Sequence, residues 1–263
     1  MEIKANGIQV SYEVSGKKDG PVVMLSHSLG SGLVMWHPQM EALDPHFRVL
    51  RYDTRGHGKS EVSEGPYTLE LLVEDAVGIL DALGIDRVHF VGLSMGGMVG
   101  QGLALNHPNR LHSLVLCDTS SIVPKEGQPA IQERIDTARN RGMEALVDVT
   151  FERWFTPSFL SKNPPSLKII RKQFLATPVE GYIGCSEALR RLNYRDRLSE
   201  IKLPALIMVG EEDPGTPVAA SQAIHERIQG SDLVILPAAR HLSNVEQPGI
   251  FNENLVGSLR RIR

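Results

Sequence analysis

Five residues, Gly92-Leu93-Ser94-Met95-Gly96, constrain this chain more than any other part of it, because they follow an apolar run over 88–93 and precede a helical pattern. A serine set between glycines at a strand-to-helix junction is the sequence form of a nucleophile elbow. The turn it requires is sharp and strained, and residues without a β-carbon let neighbouring segments approach it closely. A strand on one side and a helix on the other already point to an α/β architecture. Ser94 is the first candidate nucleophile.

The 263 residues are enough for one α/β core carrying an inserted subdomain. Residues 8–14 alternate like a half-buried strand, while 22–26 and 49–53 read as short apolar strands ending in polar, glycine-bearing loops. Over 69–83, Leu72, Val73, Ala76, Ile79, Leu80 and Leu83 share one helical face, with Thr68 as N-cap and Gly84 as the stop. A second helix is expected over 95–105, ended by Asn106-His107-Pro108, and a further strand over 114–117. Strand character returns at 205–209 and 233–236, with a helix over 218–228 between them. Strands alternating with helices predict a mostly parallel sheet covered on both faces. Between 120 and 200 the pattern changes to short amphipathic helical segments separated by Pro124, Pro157, Pro164, Pro165 and Pro178, with no strand. The expected organisation is a core of residues 1–119 and 201–263 with a helical cap, 120–200, inserted into it.

A serine hydroxyl is a poor nucleophile at neutral pH; it needs a base and a group that holds the base in the right tautomer. In a parallel α/β sheet such groups collect beyond the carboxyl ends of the strands, which chooses among nine histidines. His241 follows the 233–236 strand by a short loop and is the expected base. Asp213 follows the 205–209 strand through Gly210-Glu211-Glu212, stiffened by Pro214 and Pro217, and is the expected acid; Asp118, after the 114–117 strand, is its geometric rival. The order Ser94, Asp213, His241 is that of hydrolases with this elbow. An oxyanion also needs donors, and the backbone N–H groups of Met95 and of Leu29, in the loop His27-Ser28-Leu29-Gly30, are placed to supply them. The run Asp53-Thr54-Arg55-Gly56-His57-Gly58 lacks the Lys-Ser/Thr ending of a phosphate loop and reads as a structural loop near the site.

Composition excludes several classes. A net charge of -3 gives no electrostatic footprint for nucleic acid, and no apolar run approaches the roughly 18 residues needed to span a bilayer. With no positively charged, then apolar, leader, the expected location is the cytoplasm. Cys117 and Cys185 are too few for a disulfide framework and read as free thiols. Neither zinc-ligand spacing nor a dinucleotide fingerprint is present, so no metal or organic cofactor is called for. The expected partner is a small molecule.

On these motifs the chain resembles the α/β-hydrolase superfamily and, within it, the 3-oxoadipate enol-lactonase family of aromatic catabolism. The resemblance rests on Ser26-His27-Ser28-Leu29-Gly30, the run 51–58, the elbow through Gly100, and the acid loop Glu212-Asp213-Pro214-Gly215-Thr216-Pro217. Two cap segments also carry it, Arg153-Trp154-Phe155-Thr156-Pro157 and the stretch 181–190. It implies a triad of Ser94, Asp213 and His241 and lactone hydrolysis by acyl transfer, with no cofactor. Short-chain carboxylesterase and cofactor-free perhydrolase activities use the same triad, and a catalytically idle fold serving as a small-molecule receptor is the remaining alternative. A lactone of this kind carries a free carboxylate, for which Arg190 and Arg191 are the candidates by location, the other reading of both being surface charges; Trp154 reads either as an apolar wall of the pocket or as part of the cap core. Consecutive arginines on a helix point about 100° apart, so only one of the two can face a pocket.

Overall fold

The computed structural model describes residues 1–262 and contains an eight-stranded sheet in the order β1-β2-β4-β3-β5-β6-β7-β8. The strands are β1 (Glu2–Ala5), β2 (Ile8–Gly16), β3 (Val22–Ser26), β4 (Arg48–Tyr52), β5 (Val88–Leu93), β6 (Leu111–Cys117), β7 (Ala205–Gly210) and β8 (Asp232–Leu236). β1 and β2 pair antiparallel, β2 joins β4 antiparallel, and every pairing from β4 to β8 is parallel. The predicted mostly parallel sheet is therefore present, with an antiparallel edge.

Period-two alternation builds two cores from the same strands. Met24, Leu50, Phe90, Leu114, Leu116 and Ile207 point to one face, whereas Val23, Leu25, Val49, Val91, Leu93, Val115, Leu206 and Met208 point to the other. The first face is covered by α2 (Leu69–Ala82), α3 (Met95–Asn106) and α9 (Val218–His225), the second by α1 (His37–Leu43) and α11 (Pro248–Arg261). Central strands buried on both sides have no reason to alternate with polar residues, and β5, Val-His-Phe-Val-Gly-Leu, is wholly buried. The helix expected over 69–83 forms with the Thr68 hydroxyl accepting from the Leu71 N–H at 3.1 Å.

Between β6 and β7 the chain is helical: α4 (Gln128–Arg141), α5 (Val147–Trp154), α6 (Pro157–Lys162), α7 (Pro165–Leu175) and α8 (Val179–Arg190). Its only β pairing among the described residues is one bridge, Ile122 to Asn193. The short α10 (Ser243–Glu246) follows β8. No described helix is long and apolar enough to cross a membrane. β1, α1, α10 and α11 lie outside the elements predicted from the sequence.

Strand order reverses between β3 and β5, since β3 leads outward to β4 on one side and β5 leads to β6 on the other. A crevice opens beyond the carboxyl ends at such a switch point. The loop after β3 and the turn after β5 flank it directly. Close approach there depends on glycine: a β-carbon on Gly92 would lie 2.1 Å from the Gly96 carbonyl oxygen, and one on Gly96 would lie 2.2 Å from the Ser26 carbonyl oxygen. Because both obstacles are backbone, Gly96→Ala is expected to destabilise the protein by about 1–3 kcal/mol, the usual scale of overpacking, read as a lower midpoint in urea unfolding.

Candidate active site

Ser94 stands between β5 and α3 with φ 56° and ψ -113°, a left-handed conformation rare for a residue bearing a side chain. Its neighbours hold it there. The Ser94 N–H donates to the Cys117 carbonyl at 2.9 Å, the Thr119 hydroxyl donates to the Ser94 carbonyl at 2.8 Å, and the Gly96 N–H donates to the His27 carbonyl at 3.1 Å.

Two loops bring two side chains together above this turn. His241, in the loop after β8, places Nε2 2.8 Å from the Ser94 hydroxyl oxygen and Nδ1 2.7 Å from Asp213 Oδ2. Asp213, in the loop after β7, also accepts from the Gly215 N–H at 2.7 Å, the Thr216 N–H at 3.1 Å and the Thr216 hydroxyl at 2.6 Å. Burial alone would raise its pKa, but His241 and the donors of Thr216 outweigh that and hold the carboxyl below its ordinary range. A carboxylate fixed on Nδ1 leaves Nε2 to accept a proton from the serine.

The rival acid is used elsewhere. Asp118 Oδ1 accepts from the Gly210 N–H at 2.8 Å and Oδ2 from the Ser243 hydroxyl at 2.5 Å, so it ties the ends of β6 and β7 to the segment behind His241. Burial, reinforced by the Asp213 charge, pushes its carboxyl well above the usual range. Two nearby aspartates are thus driven in opposite directions by their surroundings.

The Leu29 and Met95 N–H groups make no hydrogen bond to another described residue. Met95 opens α3, where an unpaired N–H and the helix dipole both favour negative charge. Beside these groups lies a cavity of about 840 Å³ lined by Ser94, His241 and Leu29 on one side and by residues of the helical insertion on the other.

Trp154 does line this cavity, packed edge-to-face on Phe174 with ring centroids 5.6 Å apart. Arg190 and Arg191 do not. Arg190, half-buried at the end of α8, bonds Gln132 and pairs with Glu187 at 2.8 Å, while Arg191 is exposed. That expectation is corrected by the direction α8 faces: it turns Tyr182 and Leu189 to the cavity, while Arg190 is drawn to Gln132 and Glu187. The cations that line the cavity are Arg134 on α4, Arg153 on α5 and the exposed Arg141. Arg134 and Arg153 are half-buried, and neither forms an ion pair with a described residue. Burial and then the neighbouring Arg134 lower the Arg153 pKa, with Asp213 and Tyr182 partly offsetting them. Arg153 sits beside Trp154 in the segment that carried the resemblance; only helix orientation separates it from the arginines of α8.

The helical insertion and the sheet's loops meet around one carboxylate. Glu246 Oε1 accepts from the Thr156 N–H and hydroxyl, and Oε2 accepts from the Arg240 N–H at 2.9 Å, next to His241. The Leu242 N–H donates to the Trp154 carbonyl at 3.1 Å. The cavity wall and the histidine loop are therefore tied to each other by hydrogen bonds.

An elbow serine, a histidine and an aspartate beyond the carboxyl edge of a parallel sheet, under a helical insertion, are the layout of the α/β hydrolases. The chain belongs to this family: the sequence profile described as alpha/beta hydrolase fold matches residues 21–248. It is 36% identical to 3-oxoadipate enol-lactonase 2 of Acinetobacter baylyi over 98% of this chain and 96% of that protein. The crystal structure of the enol-lactonase from Burkholderia xenovorans LB400 superposes with a TM-score of 0.96 at 39% identity, covering 99% of this chain and 100% of that one. A Caulobacter segnis protein provisionally named carbamate hydrolase RutD is 32% identical over 94% of this chain and 95% of its own length.

Behind the site, His27 and His57 are fully buried, and burial lowers their pKa to about 4 and about 3, with the neighbouring His27 lowering His57 further. Between those values and the ordinary 6.5 the unfolded chain binds more protons than the folded one, so stability is full above about pH 6.5 and declines as pH falls. Urea unfolding of His57→Gln from pH 7 to 4 is expected to show a shallower decline than the parent, by up to about 1.4 kcal/mol per pH unit for one proton.

Proposed function

We propose that this protein is a serine hydrolase that opens an acid-bearing enol-lactone by acyl transfer, 3-oxoadipate enol-lactone being the candidate that its relatives indicate. The observation that carries the reading is the line Asp213, His241, Ser94 beneath a cavity lined by Leu29 and Ser94, with the Leu29 and Met95 N–H groups left without a partner among the described residues. Ser94 Oγ adds to the ring carbonyl while its proton passes to His241 Nε2. The resulting imidazolium is held by Asp213, and the Leu29 and Met95 N–H groups receive the oxyanion. Collapse breaks the ring C–O bond; the enol oxygen leaves with the proton from His241 and stays tethered to the acyl chain on Ser94. Water then gives a proton to His241, attacks the ester carbonyl, and releases the acid as Ser94 regains its proton. An enolate is a better leaving group than an alkoxide, and ketonisation of the freed enol makes ring opening effectively irreversible.

The substrate's carboxylate is assigned to Arg134 and Arg153, half-buried cations without an ion-pair partner among the described residues. The cytoplasm is the expected compartment, and the helical insertion 120–200 is read as the cap. Ser94→Ala is expected to reduce kcat/KM for the enol-lactone by at least about 10³-fold, measured beside p-nitrophenyl butyrate and a simple carbamate. Preference for the lactone supports this reading. Efficient carbamate cleavage with negligible lactone turnover would move the protein toward the activity named for the Caulobacter relative. Arg153→Met removes a charge-assisted hydrogen bond, so KM for the acid-bearing lactone should rise about 10- to 100-fold, with a far smaller change for the neutral ester.

A further inference from the structure

The loop that offers the Leu29 N–H is held by two histidines that do not line the cavity. His27 Nδ1 lies 2.7 Å from the Ser28 carbonyl oxygen and its Nε2 accepts from the Thr54 N–H at 2.8 Å, so the ring is neutral with its proton on Nδ1. The Ser28 carbonyl and the Leu29 N–H belong to one planar trans peptide and point in opposite directions. Drawing the carbonyl toward His27 therefore turns the N–H away from it. The next peptide is held as well: the Gly30 N–H donates to His57 Nε2 at 2.9 Å. Both planes flanking the Leu29 α-carbon are fixed, and its own N–H is left without a partner among the described residues.

We propose that His27 and His57 are positioning residues for oxyanion stabilisation, fixing the two peptide planes on either side of Leu29 so that its N–H is presented to the cavity above Ser94. This rests on reading Ser94 as the nucleophile. It also gives a role to the Arg55-Gly56-His57-Gly58 run, which carries His57 from the end of β4 to the loop after β3. Burial keeps both imidazoles neutral at ordinary pH, as an Nε2 acceptor requires. Close packing keeps His57 in place: a β-carbon on Gly56 would lie 2.5 Å from the Gly181 α-carbon of α8.

The two histidines use different ring nitrogens toward the loop, and this makes the proposal testable. An asparagine amide reaches about where Nδ1 lies, a glutamine amide about where Nε2 lies. His27→Asn should therefore preserve the donor to Ser28, and His57→Gln the acceptor for Gly30, whereas His27→Gln and His57→Asn should not. With p-nitrophenyl butyrate as substrate, the latter pair is expected to lose about 10- to 100-fold in kcat with little change in KM, below the 10²–10³ seen when an oxyanion donor is removed outright. The former pair should retain at least about five times more activity than its counterparts. Affinity for an alkylboronic acid, which forms a tetrahedral adduct on the serine, should fall in parallel with kcat, a response that a merely structural role would not give. Equal losses for both amides at each position would overturn the proposal, as would losses confined to KM or an unchanged boronate affinity. Should a damaging variant fail to fold, boronate binding by His27→Asn or His57→Gln decides: affinity near the parent's supports the proposal, and a loss beyond tenfold counts against it. Ser94→Ala separates the two levels, because activity surviving that substitution removes the reading of the site rather than the role of the histidines.

Discussion

The backbone of Ser94 is the constraint on which the rest of the site depends. A residue with a side chain at φ 56° costs about 1–3 kcal/mol and persists only where its surroundings over-determine it. Here they do so through the sheet itself. The Cys117 carbonyl at the end of β6 receives the Ser94 N–H, Thr119 just beyond it holds the Ser94 carbonyl, and the His27 carbonyl after β3 receives the Gly96 N–H. These bonds exist because β5 lies between β3 and β6, at the point where strand order reverses. Strain at one residue is thus maintained by the cooperative stability of three strands.

Electrostatic roles around this turn are separated by environment rather than by residue type. Asp213 and Asp118 are both buried aspartates beyond neighbouring strands, yet the imidazole of His241 and the donors of Thr216 favour charge on the first. Fuller burial and the first aspartate's charge disfavour it on the second. Among the described residues the Asp118 carboxyl accepts from a backbone N–H and the Ser243 hydroxyl, which suits a structural tie better than the pairing of a base. His27 and His57 follow the same logic: wholly buried and hydrogen-bonded to no carboxylate among the described residues, they are kept neutral by burial, which outweighs the Asp53 charge near His57, and serve as hydrogen-bonding groups for the backbone.

The insertion is coupled to the core through Glu246, whose two oxygens receive donors from the turn after Trp154 and from the residue before His241. A wall of the cavity and the histidine loop are therefore positioned by one buried side chain. The same contacts join the helical insertion to the segment that carries His241, so the two are positioned together.

Much of this was legible in local pattern. The elbow, the parallel strands and the helix over Leu69–Ala82 follow from hydrophobic period, capping and glycine placement, which act over a few residues, whereas the choice of Asp213 over Asp118 beside His241 needed the structure. Even so, β1 and α11 escaped that reading, because a four-residue edge strand and a terminal helix with a narrow buried face leave weak patterns. The cavity's cations could not be read from the sequence, since Arg153 and Arg190 are equally good candidates until the helices are packed. Local chemistry by itself determined the fold class and placed the candidate serine, histidine and the two rival aspartates at the ends of strands. Tertiary structure alone decided that Arg134 and Arg153 line the cavity while Arg190 pairs with Glu187, and that two distant histidines hold the peptide planes around Leu29. Both depend on which faces meet when segments far apart in sequence are brought together.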